Sequence, residues 1–484
     1  MTTATGTRRT GARPAGNRPG GPSAPRPAPP GLPPAPAQNR RHIAASVAVG
    51  TVAVVAVLWA VHGGISDLTG GPGPQLTSLG RLAGLVSADL LLLQVLLMAR
   101  IPWVERAFGQ DALARQHRLV GFSSVALMVA HVGLITAGYA ATDRAGVVAE
   151  AWDLTAHYPG MLLAVAAFGL FIMVAATSMR AARRRLRYES WHLLHLYAYL
   201  GVALALPHEL WTGADFTDSP LARLYWWALY GVTVGAIVAF RLGLPAWRNL
   251  RHRLRVAKVV HEAPGVVSVH LTGRDLDRLP ARAGQFFLFR FLDGPGWSRA
   301  NPYSLSAAPR PDRLRITVKD LGDGSRRLAR LRPGTRVLIE GPYGRLTSEV
   351  REGAGVTLVA SGIGITPLRA LLEELPAAAG PVTLIYRAGS PDEFLFRDEL
   401  DRIAAARGAR VIYLPGRRAR SRPSWLPESA AQRGDSAVLR QLVPDIARND
   451  VYVCGPGPWM DAVAVAAGGA GVMPERIHVE RFAW

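Results

Sequence analysis

Six apolar runs, separated by polar loops, occupy the first half of the chain. They lie near 43–61, 82–99, 118–138, 160–179, 191–207 and 224–240. A helix of about 20 apolar residues crosses the hydrocarbon core of a bilayer, so these runs predict six transmembrane helices. The second, third and fifth runs are short or interrupted by polar residues. That pattern is typical of helices that carry functional groups inside a bundle.

From about residue 250 the pattern changes to short alternating runs divided by glycine and proline turns. Runs at 266–271, 286–291 and 314–318 predict strands of a small antiparallel β-barrel. Later runs alternate with helical stretches and predict an α/β domain with a parallel sheet. Those later runs lie at 356–360, 382–386, 410–414 and 451–454.

The chain is therefore predicted to be a multidomain protein. A tail at 1–42 is rich in proline, glycine and arginine and holds no acidic residue, which predicts disorder. The predicted domains that follow are a six-helix transmembrane domain at 43–245, a β-barrel at 250–350 and an α/β domain at 354–484.

Charge orients the predicted helices. The formal net charge is +21, and arginine supplies nearly all of the positive charge. Basic residues precede the first apolar run and follow the second, fourth and sixth: Arg40, Arg41, Arg100, Arg106, Arg115, Arg118, Arg180, Arg183, Arg184, Arg185, Arg187, Arg241, Arg248 and Arg251. The other loops hold acidic residues: Asp67, Asp143, Glu150, Asp153, Glu209, Asp215 and Asp218. By the positive-inside rule, both termini are expected in the cytoplasm of a plasma-membrane protein. The same placement argues against nucleic acid as a partner.

Two pairs of histidines lie inside apolar runs. His117 and His131 are 14 residues apart in the third run, and His195 and His208 are 13 apart across the fifth. Each spacing corresponds to roughly 20 Å along a helix. An ionisable residue inside the membrane is a functional-site hypothesis by default. The spacing predicts two stacked haems, each bound by one histidine of each helix. Because both helices run outward, His117 is paired with His195 and His131 with His208.

Three alternatives remain open for these histidines. Each could be a hydrogen-bonded core residue, and His192 competes with His195 as a ligand. A spacing of 13 also turns an ideal helix roughly 140° away from the starting face. Pro207 precedes His208 and could kink the helix enough to correct that phase. The remaining histidines, among them His252 and His478, are interpreted as loop or surface residues.

Cys454 is the only cysteine. A single thiol rules out an intramolecular disulfide and a cysteine-ligated iron–sulfur cluster. The redox cofactors that remain are flavin, haem and nicotinamide.

The fifth run resembles a known family. Trp191, His195, Tyr199 and His208 resemble the fifth helix of the ferric reductase-like transmembrane domain. NADPH oxidases, ferric-chelate reductases and a bacterial haem subunit serving methionine sulfoxide reductase share that domain. The resemblance implies that the two histidine pairs bind two b-type haems.

A second resemblance concerns the flavin. Asn301-Pro302-Tyr303-Ser304 follows a predicted strand and is expected to begin with a rigid turn. It resembles the Arg-x-Tyr-Ser stretch of the ferredoxin reductase family, with Asn301 in place of the arginine. The resemblance implies that Tyr303 packs on the isoalloxazine of FAD and that Ser304 lies near flavin N5. It leaves open which residue neutralises the flavin pyrophosphate.

A glycine turn follows the flavin stretch. Gly322, Gly324 and Ser325 open a predicted helix, where backbone amides and small residues bind phosphate well. The ferredoxin reductase family places a Gly-x-x-Ser turn here for the flavin pyrophosphate. Taken alone, Gly-Asp-Gly is most often an ordinary turn.

Two strand ends are expected to bind the nicotinamide cofactor. Gly362, Gly364, Thr366 and Pro367 lie where a strand turns into a helix, the context that dinucleotide binding requires. The resemblance places Cys454, Gly455 and Pro456 beside the nicotinamide. It also implies that Trp484, after Glu480, stacks on the flavin and moves aside for nicotinamide. The implied catalytic residues are Ser304, Cys454, Glu480 and Trp484. Taken without the resemblance, Cys454 and Trp484 could instead be packing residues.

Three arginines favour NADPH over NADH. Arg387 follows the second strand of the α/β domain, and Arg417 and Arg418 follow the third. Guanidinium groups suit a 2′-phosphate, although solvated surface charge is the alternative. The whole pattern predicts an enzyme that passes electrons from NAD(P)H through FAD and two haems to dioxygen or a ferric chelate. Two alternatives are an electron-supply subunit for an unknown redox partner and a non-catalytic haem sensor.

Overall fold

The structure is a computed structural model. It describes residues 37–183, 185–186, 188–294, 296–376, 379–419 and 422–481. Most of the predicted tail at 1–42 and Arg184, Arg187 and Trp484 lie outside the described residues. The first helix begins at Ala37, which is earlier than the apolar run beginning at 43.

Six helical spans among the described residues are long and apolar enough to cross a membrane, as the six runs predict. They are Ser46–Asp67, Pro72–Leu97, Ala112–Asp143, Met161–Ser178, Ser190–Trp211 and Pro220–His252. Two of them contain π-helical turns, at Ala60–Gly64 and Ile237–Gly243. The last span continues past residue 245 and ends just before the first strand, so the membrane helix leads directly into the next domain.

The helices of this half are α1 (Ala37–Trp59), α2 (Ile65–Asp67), α3 (Pro72–Leu97), α4 (Pro102–Phe108), α5 (Gln110–Asp143), α6 (Val147–His157), α7 (Met161–Ser178), α8 (Arg180–Arg183), α9 (Tyr188–Trp211), α10 (Ala214–Thr217), α11 (Pro220–Ala236) and α12 (Leu244–His252). The helices α3 and α5 form one closely packed pair, and α7 and α9 form another. Small residues allow the α3–α5 approach, as is common in membrane helix packing. Ser87 and Ser124 exchange side-chain-to-carbonyl hydrogen bonds of 2.8 and 3.0 Å across it.

A buried carboxylate joins three helices of the bundle. Asp89 of α3 accepts hydrogen bonds from the Tyr225 hydroxyl of α11 at 2.5 Å and the Thr51 hydroxyl of α1 at 3.1 Å. A polar group inside a membrane bundle must be satisfied by other protein groups, and Asp89 meets that requirement. These bonds lie outside the α3–α5 pair and tie α1 and α11 to it.

The second half contains two antiparallel sheets of three strands each. One sheet has the order β1-β2-β5 and the other the order β4-β3-β6. Their strands are β1 (Arg255–Ala263), β2 (Val266–Thr272), β3 (Phe286–Phe291), β4 (Asn301–Ser304), β5 (Arg313–Lys319) and β6 (Val337–Tyr343). Isolated bridges, Arg255 to Arg336 and Leu305 to Ile316, join the edges of the two sheets. The predicted β-barrel is therefore found as two small sheets packed on one core, not as one continuous sheet.

The last part of the chain is a parallel five-stranded sheet with the order β11-β10-β7-β8-β9. Its strands are β7 (Gly355–Ser361), β8 (Val382–Ala388), β9 (Arg410–Pro415), β10 (Asn449–Cys454) and β11 (Ile477–Val479). Its helices are α14 (Ile365–Glu374), α15 (Arg397–Arg407), α16 (Asp435–Leu442) and α17 (Gly457–Gly469). The short helix α13 (Asp323–Arg326) lies in the preceding domain. The four predicted strands are confirmed, and the short strand β11 is an addition. Because the order steps outward from β7 in both directions, the carboxyl ends of β7 and β10 lie side by side.

Candidate cofactor sites

The structure brings the four predicted histidines together in two pairs. The ring centroids of His117 and His195 are 5.8 Å apart. Those of His131 and His208 are 6.4 Å apart. Each pair joins α5 to α9, in the order that the parallel-helix argument predicts. His208 meets His131 despite the unfavourable helical phase of its 13-residue spacing from His195. Pro207 lies inside α9, directly before His208.

The spacing of both pairs suits two imidazoles that bind one iron. Imidazole nitrogens bind metals at about 2 Å, and a ring nitrogen lies about 1 Å from the ring centre. Two axial imidazoles therefore place their centroids about 6 Å apart, and both pairs fit. Among the described residues, no group of three or more His, Cys, Asp or Glu side chains could hold a metal ion. A haem needs only two ligands from the protein.

The Nδ1 atoms of the four rings have protein partners. His131 Nδ1 lies 2.8 Å from the Gly80 carbonyl, and His117 Nδ1 lies 3.1 Å from the Gln94 carbonyl. Carbonyl oxygens only accept, so both Nδ1 atoms carry the proton and both Nε2 atoms are available as ligands. This arrangement orients metal-binding imidazoles in proteins.

The other two rings have hydroxyl partners. His208 Nδ1 lies 2.7 Å from the Thr212 hydroxyl, and His195 Nδ1 lies 3.3 Å from the Ser178 hydroxyl. Sequence reasoning missed these partners of the rings. Main-chain carbonyls and single hydroxyls leave no recognisable pattern in a sequence, so nothing in the residue types could have identified them.

A glycine on α3 makes room for one of the rings. A Cβ atom on Gly84 would lie 2.5 Å from Nδ1 of His131. Any larger residue there would push the ring away from its carbonyl partner. The His131 side chain is thus hydrogen-bonded to the Gly80 carbonyl and packs directly against Gly84.

The structure distinguishes His195 from His192. The ring of His195 faces His117 and stacks on Trp191, with centroids 5.1 Å apart. The side chain of His192 is exposed. The guanidinium of Arg183 also lies over the Trp191 ring, with its Cζ atom 4.5 Å from the ring centroid.

Two histidines outside the pairs are not surface residues. His252 is 1% exposed, and its Nδ1 lies 3.0 Å from the Arg274 carbonyl. His478 is paired with the buried Asp450 at 2.8 Å. The prediction of a loop or surface position was wrong for both, because His252 ends α12 where that helix meets the sheet domain and His478 lies in β11.

The flavin stretch is a strand from its first residue, so the rigid turn predicted at its start is not found. Asn301–Ser304 forms β4, and Ser304 is opposite Phe286 of β3. A proline is tolerated because β4 is an edge strand of its sheet. Ser304 is 8% exposed. Burial raises the pKa of Tyr303 to about 12 despite the nearby Arg327 guanidinium, so its phenol remains neutral.

The glycine turn adjoins the flavin stretch. Gly322 has φ +148°, in the region that favours glycine, and precedes the four-residue helix α13. A Cβ on Gly324 would lie 3.6 Å from the Asn301 amide oxygen. The Ser325 hydroxyl donates to the Gly322 carbonyl at 2.9 Å and accepts from the Leu321 amide at 2.8 Å. The predicted turn and Asn301 therefore lie beside each other.

The two strand ends predicted for nicotinamide meet closely. A Cβ on Gly364 would lie 2.3 Å from the Cys454 carbonyl oxygen, so only glycine fits there. One on Gly455 would lie 3.0 Å from Cβ of Ser361. The turn Gly362–Gly364 begins with φ +54° at Gly362 and leads into α14, which buries Thr366 and Pro367.

Cys454 and Glu480 lie at the same edge. Burial raises the pKa of the Cys454 thiol above its usual range, and the Glu480 carboxylate raises it further. The thiol is therefore neutral and not a nucleophile. A Cβ on Gly344, just after β6, would lie 2.4 Å from Oε1 of Glu480. Glu480 thus connects the two sheet domains.

One of the three arginines predicted for the 2′-phosphate is committed elsewhere. Arg387 is 5% exposed and donates to the main-chain carbonyls of Ala388 and Arg417, the latter at 2.9 Å. Its side chain thus joins the end of β8 to the loop after β9, an orientation that the charge pattern of the sequence does not reveal. Arg417 and Arg418 are exposed after β9.

Comparison with known proteins identifies both halves. Residues 83–206 match the family described as ferric reductase like transmembrane component, and residues 358–464 match the oxidoreductase NAD-binding domain. The ferredoxin–NADP reductase B of Sorangium cellulosum is 31% identical over 41% of this chain and 87% of that relative.

Two further matches concern the reductase half. The ferredoxin reductase component of 3-ketosteroid-9-alpha-monooxygenase from Mycolicibacterium smegmatis is 32% identical over 47% of this chain, which spans 65% of that relative. A ferredoxin NADP+ reductase structure from Neisseria gonorrhoeae, with bound FAD and NADP, has a TM-score of 0.39 at 22% identity. The aligned region spans 48% of this chain and 98% of the Neisseria gonorrhoeae chain.

Proposed function

Because this chain belongs to the ferredoxin reductase family and carries a ferric reductase-like transmembrane domain before its reductase module, we propose that it is a membrane flavocytochrome. It is an oxidoreductase that takes electrons from NAD(P)H. It passes them through FAD and two b-type haems to an acceptor across the membrane, which is dioxygen or a ferric chelate.

One observation carries this proposal. Two histidine pairs bridge the same two membrane helices at two levels, with ring centroids 5.8 and 6.4 Å apart. Ordinary core histidines have no reason to face each other twice at the spacing of axial ligands. In the proposal, His117 and His195 hold the inner haem and His131 and His208 hold the outer one.

The reductase residues have matching roles. A bound flavin accepts the two electrons of nicotinamide together and gives them up singly to haem iron. Ser304 presents its hydroxyl to the flavin, and Gly322, Gly324 and Ser325 cradle its pyrophosphate. The nicotinamide binds where Gly364 and Cys454 approach each other. Cys454 contributes a neutral surface, and Trp484 covers the flavin when nicotinamide is absent.

Orientation and cofactor preference complete the proposal. The basic residues that flank the spans favour a plasma-membrane protein with both termini in the cytoplasm. NADPH is favoured by the exposed Arg417 and Arg418, since guanidinium groups bind a 2′-phosphate well. Arg387 supports these loops instead of binding the phosphate, because its donors are already directed at carbonyls.

The relatives favour a second candidate function. Several are named as reductase components or subunits of monooxygenases, such as that of Mycolicibacterium smegmatis. This chain would then be an electron-supply subunit for a separate periplasmic or membrane redox partner. It would reduce neither dioxygen nor ferric chelate well by itself.

The test is turnover of the purified full chain in detergent. NADPH is added, and superoxide and ferrous iron are measured separately. His131→Ala is expected to lower product formation on the order of 100-fold while NADPH still reduces the flavin. His157→Ala, an exposed histidine on α6, is the matched control and should behave as the parent. Product formation that is unchanged in His131→Ala would contradict the transmembrane route.

The same assay separates the two candidate functions. Little superoxide and little ferrous iron from the parent protein, with normal flavin reduction, would favour the electron-supply function. Turnover restored by a co-purified partner would then identify the acceptor.

A further inference from the structure

One arginine, on the loop between α3 and α4, contacts both the membrane bundle and the β4-β3-β6 sheet that carries the flavin stretch. Arg100 lies between α3 and α4, and its side chain is 9% exposed. Its Nη1 donates to Glu105 of α4 at 3.1 Å and to Gln110 of α5 at 2.5 Å. Both of these partners belong to the membrane half of the chain.

The same guanidinium faces strand β6 of the other half. Its Cζ atom lies 4.4 Å from the ring centroid of Tyr343, and Nε lies 3.9 Å from Glu340. The Tyr343 hydroxyl donates to Glu340 at 2.8 Å, so both β6 side chains form one surface for Arg100. A planar guanidinium can stack on a ring and bridge several acceptors at once, which a lysine cannot do.

The backbone at Arg100 is also unusual. Its φ of +64° is in the left-handed region, which non-glycine residues rarely adopt. Such conformations persist where the surroundings hold them, and they cluster at sites with a functional constraint. Here the constraint is the set of four contacts that Arg100 makes.

Each end of these contacts leads to a candidate cofactor site. Gln110 begins α5, which carries His117 two turns later. On the other side, the Tyr343 ring lies 5.7 Å from Phe286, which is opposite Ser304 in the sheet. Arg100 therefore joins the helix of the inner histidine pair to the strand beside the flavin serine.

The helix α12 holds β6 from a second direction. The Asn249 side chain donates to the Ile339 carbonyl at 2.9 Å and accepts from the Ile339 amide at 2.8 Å. Arg248 donates to the Gly341 carbonyl. Because α12 anchors one side of β6, loss of the Arg100 contacts should loosen the junction without detaching the domain.

We propose that Arg100 is a positioning residue that fixes strand β6 against the start of α5 and so sets the rate of electron transfer from the flavin to the haem that the inner histidine pair would hold. This inference rests on the proposed function, because it requires a flavin and a haem. It assigns Arg100 a purpose beyond that of a membrane-flanking cation.

The experiment uses the full chain in detergent, as the parent and as Arg100→Ala. Anaerobic stopped-flow absorbance follows flavin and haem reduction by NADPH separately, and ferricyanide reports electrons leaving the flavin directly. Arg100→Ala is expected to slow haem reduction at least about 10-fold, because β6 is no longer held in one position against the start of α5. Flavin reduction and ferricyanide turnover should stay within about twofold of the parent.

Hydrogen exchange supplies a readout that needs no haem. Peptides covering β6 and residues 101–109 should exchange faster in Arg100→Ala. Arg290→Ala is the matched control, because Arg290 also approaches Glu340, at 3.7 Å, but belongs to β3 of the same sheet. The control should leave haem reduction and exchange at 101–109 unchanged.

The outcomes separate this inference from the proposed function. A parent protein without haem, or whose haem NADPH cannot reduce, contradicts the proposed function. Parent-like haem reduction and exchange in Arg100→Ala overturn the role of Arg100 alone. If Arg100→Ala does not accumulate, Arg100→Lys carries the test, because it keeps the charge and loses the fork and the stacking. An intermediate haem-reduction rate in Arg100→Lys supports the inference, and a parent rate overturns it.

Discussion

In the membrane bundle, the paired residues come from helices far apart in the chain, whereas at the nicotinamide edge they come from short strand-to-helix turns. His117 and His195 are 78 residues apart and meet only because α5 and α9 pack in one bundle. Gly362 and Gly364 lie within one turn after β7. The first arrangement depends on helix packing, and the second on short turns that the pairing of β7 and β10 brings together.

The means of holding the residues differ as well. The rings of His117 and His131 are oriented by main-chain carbonyls of α3, a helix that carries no ligand. The nicotinamide edge is shaped by close contact between backbones, as at Gly364 and Cys454. Substitutions that add one side chain can therefore damage either site without touching a proposed ligand, and they should damage the two sites separately.

The largest expected effect is at Gly84. Gly84→Val should displace the His131 ring, since even a Cβ would lie 2.5 Å from it. The variant is expected to lose the outer haem and nearly all transmembrane turnover, with flavin reduction intact. Haem per chain is the measurement. Gly133→Val is the control, because Gly133 has open space around its Cβ, and parent-like haem content in Gly84→Val would contradict this account of the bundle.

The reciprocal change is at Gly364. Gly364→Ala places a methyl group 2.3 Å from the Cys454 carbonyl, so the two strand ends must separate. We expect kcat/KM for NADPH to fall on the order of 10- to 100-fold while haem content stays at the parent value. Gly457→Ala, at an open position at the start of α17, should change neither quantity. Loss of haem in Gly364→Ala would show that the two sites are not separable.

A smaller effect is expected from the exposed arginines after β9. Replacing Arg417 and Arg418 together by alanine should lower the NADPH-to-NADH ratio of kcat/KM about 10-fold, the loss of one phosphate contact. Arg387→Ala should instead lower the melting temperature, because it removes hydrogen bonds to carbonyls of two loops. If the NADPH-to-NADH ratio of kcat/KM were unchanged in the variant that lacks Arg417 and Arg418, these two residues would not be the 2′-phosphate site.

The smallest expected effect is a pH dependence of stability where the membrane bundle meets strand β6. Burial raises the pKa of Glu105 to about 7, against the opposing effect of Arg100, while Glu340 raises it further and Arg241 lowers it. The folded state then binds more protons than the unfolded chain between about pH 4.5 and 7. Stability should therefore fall as pH rises through this range.

Thermal unfolding in detergent at pH 5 to 8 measures this contribution. Glu105→Gln cannot ionise, so its melting temperature should change less with pH than that of the parent. Equal slopes in the two proteins would show that Glu105 ionises near its ordinary pKa.

The parts that could be predicted from the sequence are those set by local patterns. The apolar runs identify the six spans because burial in lipid demands them, and the strands of the parallel sheet follow from short apolar runs between turns. The pairing of the four histidines also follows, because two parallel helices with similar spacings can match only in one order.

Other features depend on contacts that the sequence does not record. Asn301–Ser304 is a strand because it pairs with β3, although its proline favours a turn. The orientation of the Arg387 side chain is set in part by the Arg417 carbonyl after β9. In the sequence Arg100 is an ordinary membrane-flanking arginine, and only the approach of β6 gives it Tyr343 and Glu340 as partners. In each case the deciding neighbour is distant in sequence.

Haem content of single and double histidine variants tests the central claim most directly. The parent should bind two haems per chain. His117→Ala, His195→Ala and the double variant should each retain one, with the same remaining spectrum, and His131→Ala and His208→Ala should retain the other. A double variant of His117 and His195 that loses both haems, or single variants that keep both, would contradict the pairing.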